Sequence, residues 1–277
     1  MTSVSQKNLL NLAQKAAASG NLTQAIQYLE EALRNGRTTK LVIELCDLYL
    51  KTGQSYAAYA LIKEEQDLFS ESAIFTEYSK ILQANHFVIE ALELQHMSKL
   101  EVIVAVSPET EAKQQKIMAE FKQKKQVTQY DYEQLFKLQL HNFINFAQSL
   151  LLDPSLNFAV RIALCEDLVR LGVKEDISVL VLNQVEHFVP QETELLEKGT
   201  VYREIVSAIG SRYYHRPSQL PTILGEVNLI LGSLYPKLTK YVDEPDSFAS
   251  DLASFIEKHD GRGHDKLFKQ IYTKLPK

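Results

Sequence analysis

Two histidines, two aspartates and an arginine crowd into seven residues, His259-Asp260-Gly261-Arg262-Gly263-His264-Asp265, the densest run of possible metal ligands in the chain. A metal would need those donors to converge on one point. The two glycines and the apolar periodicity on either side predict a connector instead, with Asp260-Gly261 ending one helix and Asp265 opening the next. Arg212-Tyr213-Tyr214-His215-Arg216 mixes cations with aromatics, a combination that can grip a phosphate or stack on a base. Cations at a helix end before Pro217 are favoured by the helix dipole anyway, so a structural role is expected. Cys46 falls at a helix-contact position and reads as a packed small hydrophobe rather than a nucleophile. Glu30-Glu31 and Glu64-Glu65 are adjacent in sequence, which splays them on a helix and predicts a solvated face. The chain has no His-Glu-x-x-His, Cys-x-x-Cys or Gly-x-Ser-x-Gly motif and no phosphate-binding glycine loop; Gly261-Arg262-Gly263 is too short and follows no strand. No catalytic residue, cofactor or metal is therefore expected. An enzyme would require His187, His215 or His264 to meet carboxylates in one pocket.

The elements that must position these residues belong to a folded chain. It has 277 residues, 45% hydrophobic and 23% charged, with 10 Gly and 8 Pro, a composition that excludes disordered and fibrous classes. Thirty basic residues against 35 acidic ones leave a net charge of −5, so electrostatic binding of nucleic acid is not expected. Two cysteines cannot build a disulfide framework and suggest a reducing compartment. The start of the chain lacks the basic and apolar regions of a signal peptide, and no apolar run approaches the ~20 residues of a membrane span. A cytoplasmic protein with no membrane insertion is expected.

A repeat with a period of about 33 residues runs through the N-terminal third. Gly20 recurs as Gly53 and His86; Ala25 as Ala58 and Ala91; Leu12 as Leu45 and Tyr78. Ala13, Cys46 and Ser79 align, as do Leu9, Val42 and Phe75, and Ala16, Tyr49 and Leu82. Each unit predicts a first helix, a break at the glycine position, and a second helix with Ala25, Leu29 and Ala32 on one face. Small residues recur where two helices cross closely. One such pair cannot bury its apolar stripe, whereas three stacked pairs can.

Residues 6 to 104 resemble the tetratricopeptide (TPR) repeat family. In the first unit the family's small and apolar positions fall on Leu9, Leu12, Ala13, Gly20, Ala25, Leu29 and Ala32. The chain departs from the family in lacking its tryptophan and in having Arg37 and Ser70 in place of the closing proline. The third unit has His86 at the turn and Gln95 at a usually apolar position. The resemblance implies a helical-hairpin array over residues 1-104, whose first helices line a concave groove. The matching groove positions are Lys7, Leu10 and Gln14, then Lys40, Ile43, Asp47 and Leu50, then Thr76, Lys80 and Gln83. Apolar anchors with separated lysines suit an extended peptide or a helix. Some family members clamp a carboxylate terminus; the matching positions are Leu10, Gln14, Asp47, Ala73 and Glu77, where Asp47 would repel it.

Residues 105-277 predict a second, helical domain. Segment 100–106 is β-branched and ambiguous between a helix end and a strand. Ser107-Pro108-Glu109 signals a helix start, followed by Lys113, Lys116, Lys122, Lys124 and Lys125 on a polar helix that Glu109, Glu111 and Glu120 dilute in charge. A domain junction is expected near 126–129. One long apolar helix is predicted over 130–152, and Asp153-Pro154 then starts another that runs to Gly172. Alternation across 177–189 predicts a β-hairpin closed by Pro190, which must pack on a helical layer or bind something. Helices are expected near 191–197, 200–214, 218–234, 245–258 and 264–273. The 150–154 segment, the hairpin and Leu234-Tyr235-Pro236 loosely resemble Gram-positive bacterial proteins with TPR-like N-termini, a likeness that implies no activity.

The expected fold is thus all-α with one small hairpin. The leading functional expectation is a non-enzymatic scaffold that binds a protein or peptide in the groove. The alternatives are a peptide-sensing regulator and, behind it, an enzyme in the C-terminal helices.

Overall fold

A computed structural model describes residues 4–65, 71–98 and 105–274. Among them the fold is all-α, with fifteen α-helices and one two-stranded antiparallel sheet. The chain forms two compact units. The first comprises Met1–Ile117 and Glu133–Gln139, the second Met118–Tyr132 and Leu140–Lys277. Residues 99–104, where the 104/105 boundary and most of the ambiguous β-branched run were expected, lie outside the described residues.

The first unit holds α1 (Val4–Ala18), α2 (Leu22–Arg34), α3 (Thr39–Lys51), α4 (Ser55–Lys63), α5 (Ser72–Asn85) and α6 (Val88–Ser98). Consecutive helices pack together, and α3 also packs directly on α5. The period of the sequence is present in the backbone. Gly20, Gly53 and His86 are all left-handed, with φ of 80°, 75° and 60°. Behind each, the next residue donates back to the helix: Asn21 N to Ala16 O (2.9 Å), Gln54 N to Tyr49 O (2.8 Å), Phe87 N to Leu82 O (3.0 Å). That six-to-one closure is how a left-handed residue satisfies the orphan carbonyls of a helix end. Side chains cap two helices of this unit, α2 and α3: Asn21 accepts from Gln24 N, and Thr38 from Leu41 N, each satisfying an amide that the helix itself leaves orphaned. The aligned small residues Ala13, Cys46, Ala25 and Ala58 are buried, together with Leu29, Leu41 and Leu45. Each such leucine contributes about 1.5–3 kcal/mol of transfer free energy.

Two expectations for the middle of the chain are corrected. The helix signalled at Ser107-Pro108 begins at Glu111, as α7 (Glu111–Gln123). The Glu109 amide is instead held by the Lys137 carbonyl at 3.1 Å, and the Gln114 side chain donates to the Glu109 carbonyl at 2.6 Å. The long helix expected over 130–152 is three pieces: α8 (Gln129–Glu133), a 3-10 turn over Gln134–Lys137, and α9 (Leu140–Leu151). Between the last two, Leu138 is extended at ψ 147°. Leu135, Phe136 and Leu138 belong to the first unit, where Phe136 meets the edge of the Phe87 ring at 5.9 Å. Phe143, Phe146, Ala147 and Leu150 are core residues of the second.

In the second unit, α10 (Phe158–Arg170) starts behind an Asn157 cap and not at Pro154. Asp153 Oδ1 instead accepts from the Ser155 amide and hydroxyl, a tight turn closed by the aspartate's own side chain. The hairpin forms as β1 (Ile177–Val181) and β2 (Gln184–Phe188), with Ile177 opposite Phe188 and Val181 opposite Gln184. Its turn is Leu182-Asn183, both at positive φ, 51° and 66°. Positive φ at both turn residues matches the twist of the flanking strands. Alternate β1 residues Ile177, Val179 and Val181 are buried. The hairpin packs on α9, where Gln148 takes the Ser178 amide (2.9 Å) and donates to its carbonyl (2.8 Å).

The helix expected over 191–197 is two 3-10 turns, Pro190–Glu192 and Leu196–Lys198, with Thr193 extended between them. Tertiary partners take those amides, Gln191 N donating to Val173 O (2.9 Å) and Leu196 N to Glu166 Oε1 (3.2 Å). The remaining helices are α11 (Thr200–Arg212), α12 (Leu220–Leu234), α13 (Leu238–Tyr241), α14 (Pro245–Lys258) and α15 (Asp265–Lys274). Among the described residues no helix is long and apolar enough to cross a membrane.

Candidate functional site on the first, third and fifth helices

Helices α1, α3 and α5 each carry two stripes. Leu9, Ala13 and Ala16, then Leu41, Leu45 and Leu48, then Ile74, Tyr78 and Ile81 are buried. Lys7, Leu10 and Gln14, then Lys40, Ile43, Asp47 and Leu50, then Thr76, Lys80 and Gln83 follow the three-and-four spacing of one helical face. None of these ten is buried. Lys7, Gln14, Lys40, Thr76, Lys80 and Gln83 are exposed, and Leu10, Ile43, Asp47 and Leu50 are half-buried. Leu10 packs against the core with part of its surface open.

Charge links two of these helices. Lys80 Nζ lies 3.9 Å from Asp47 Oδ1 and 2.7 Å from Glu77 Oε2. Glu77 is absent from the ten groove positions, although it matches a carboxylate-clamp position of the family and stands three residues from Lys80. The Glu77 side chain is buried, at 1% exposure, beneath the half-exposed Lys80. Burial pushes its carboxyl above the ordinary range, the Lys80 hydrogen bond pulls it back, and the Asp47 charge adds to the rise, the three effects acting separately on one group. Two acids therefore share one lysine, a poor setting for a ligand's carboxylate.

The other chemically suggestive residues are tied into structure. His264 Nδ1 lies 2.9 Å from Asp251 Oδ2, and its ring stands against Phe248 at 5.0 Å. Asp260 Oδ1 accepts from Arg262 N and Asp265 Oδ1 from Gly261 N. No group of three or more His, Cys, Asp or Glu among the described residues could hold a metal. Tyr213 is buried and donates to Glu257 Oε1 (2.9 Å), which also receives Arg216 (3.2 Å). Tyr214 stays 76% exposed. His187, on β2, meets Asp176 at 3.0 Å, and His215 packs edge-on to Tyr214.

The splayed-glutamate expectation is corrected. Glu64 and Glu65 lie past the end of α4, where the helical fan no longer separates them. Both reach Arg37, Nη1 to Glu64 at 2.7 Å and Nε to Glu65 at 2.5 Å. Glu30 accepts from the Tyr49 hydroxyl at 2.7 Å.

Cys46 is buried with its Sγ 3.6 Å from the Ala58 carbonyl, and Cys165 is buried in α10. Burial pushes both thiols up, each to about 12. An unfolded thiol ionises near 9.0. This part of the stability is therefore present below pH ~9 and is lost as pH rises toward ~12. With Ellman's reagent at about pH 8 both thiols, mostly protonated and sequestered, are expected to stay silent in the native protein and to react together once denaturant opens the fold. Reaction of either thiol with the native protein at the rate of a free thiol contradicts this.

No protein-family model, no curated protein and no solved structure matches this chain.

Proposed function

We propose that the open face of α1, α3 and α5 holds an extended peptide or a helix of a partner protein, and that the chain is a non-enzymatic, TPR-like scaffold acting in the cytoplasm. The observation that carries this reading is the separation of stripes on three helices. Apolar residues between the groove positions build the core, while Leu10, Ile43 and Leu50 keep apolar surface open beside Lys7, Lys40 and Lys80. Half-exposed aliphatic anchors with charges spaced by one helical turn are what a helix-in-groove or extended-peptide interface uses. The Asp47–Glu77 pair favours a partner segment that brings a basic or neutral group there, not an acidic one.

Affinity purification followed by mass spectrometry supplies the partner, and titration of the purified partner supplies the affinity. Lys40→Glu with Leu50→Asp is expected to weaken binding at least about tenfold, with the helical circular dichroism signal preserved. Unchanged affinity would refute the assignment of this face.

A further inference from the structure

The second unit encloses a cavity of about 420 Å³ that the groove reading does not use. Its cationic lining is Arg161 from α10 with Lys122, Lys124 and Lys125 from the end of α7 and the turn beyond it; among the described residues Asp153 is its one carboxylate. Phe121, Leu150, Leu151, Phe158, Leu182 and Ile271 supply apolar wall. The volume lies within the range of small-molecule sites, and an apolar wall with a few convergent polar groups is their usual make-up.

Arg161 is the unusual member. Its Nη1 donates to the Leu180 carbonyl at 2.9 Å, and its Nη2 to the Gly232 and Ser233 carbonyls at 3.2 and 2.9 Å. Its Nε is buried and has no hydrogen-bond partner. Among the described residues no carboxylate pairs with it; the one ionisable neighbour acting on it is the Cys165 thiol. A half-buried cation without a counter-ion carries a desolvation cost. The last-turn carbonyls of α12 offset part of that cost, because a helix C-terminus carries roughly half a negative charge. The N-terminus of α10 lines the same cavity and adds positive potential. Lys124 is already paired with Asp131 at 3.0 Å, whereas Lys122 sits over the Phe146 ring at 5.4 Å. Setting the four lining cations against Asp153 leaves three positive charges, and counting Asp131 leaves two.

We propose that this cavity binds a small phosphomonoester with an apolar body, its phosphate taken by the Lys122 and Lys125 ammoniums in the positive field of Arg161 and its body seated against Phe121, Phe158 and Ile271. A phosphate dianion matches the two charges left over. Flexible ammoniums beside an arginine whose Nη groups are held by three carbonyls suit a phosphate's spread of oxygens better than the flat, two-oxygen edge of a carboxylate, which prefers an open arginine fork.

Calorimetric titration of the full chain with phenyl phosphate tests this, with phenol and benzoate as neutral and carboxylate counterparts. Phenyl phosphate is expected to bind saturably with a Kd at or below about 1 mM, phenol not at all, and benzoate at least about tenfold more weakly. Lys122→Glu with Lys125→Glu is expected to weaken phenyl phosphate at least about tenfold, and Asp153→Asn to tighten it about threefold or more. These surface variants are preferred because Arg161 holds three carbonyls, and its loss could dismantle the cavity itself. Absence of saturable binding up to about 10 mM, equal affinity in the double lysine variant, or equal affinity for benzoate overturns the proposal.

Discussion

Glu90→Ala is expected to cost the first unit about 3–5 kcal/mol, the scale for removing one partner of a buried charged network. Glu90 stands in the first turn of α6 at 6% exposure. Its Oε2 accepts from the Tyr59 hydroxyl of α4 at 2.7 Å, and its Oε1 accepts from the Tyr78 hydroxyl of α5 and from Lys63 Nζ of α4, the latter at 2.6 Å. One carboxylate therefore ties three helices together. Burial first, and then the Glu90 charge, push both tyrosines well above their ordinary range, so each hydroxyl stays a donor to Glu90, while the Tyr78 oxygen also accepts from Lys63 Nζ at 3.4 Å. Alanine leaves two buried hydroxyls without an acceptor and opens a space they cannot fill. Glu90→Gln keeps one acceptor and the volume, and should cost only about 1–2 kcal/mol. Denaturant titration read by circular dichroism measures the difference, and hydrogen exchange should place the lost protection in α4, α5 and α6. Equal stability of the alanine and glutamine variants, or loss of protection confined to the second unit, contradicts this account.

Gly261→Ala should destabilise the second unit by about 1–3 kcal/mol, the range for overpacking a filled site. A Cβ at Gly261 would lie 2.6 Å from the Asp265 Cα and 2.8 Å from Phe268 Cδ2. The first contact is backbone and cannot swing away. Relief requires the start of α15 to move, and Phe268 moves with it out of its contacts with Phe248 and Phe255, both at 5.2 Å between ring centres. Gly225→Ala, in α12, is the matched control. Nothing lies within 4 Å of its added Cβ, so the usual gain from replacing a helical glycine, about 0.5–1 kcal/mol, should appear. Opposite signs at these two positions are expected in thermal unfolding of the two single variants; the same sign at both would show that the contact at Gly261 is not limiting.

The same glycine explains the cluster that first suggested metal chemistry. His259 caps α14 with φ 56°, Asp260 and Asp265 bond to neighbouring backbone amides, and His264 pairs with Asp251. Donors that satisfy their own turn are not free to converge on an ion.

Local chemistry made much of the fold legible from residue order alone. A left-handed position at 20, 53 and 86 needs only the few residues around it, so a fixed period in glycine and alanine reads directly as turns and crossings. Strict alternation over 177–181 likewise marks a strand with one buried face. Periodicity failed where two cores share one stretch of chain. Leu135, Leu138, Phe143 and Leu150 space like one helix, yet Leu138 is extended and the residues on either side of it serve different units. Only tertiary structure could decide which carboxylate three helices would share, that Glu77 would be buried under Lys80, and that residues as distant as 122, 161 and 233 would meet. Such encounters depend on how helices pack, and the spacing of residues along one helix carries no record of its neighbour.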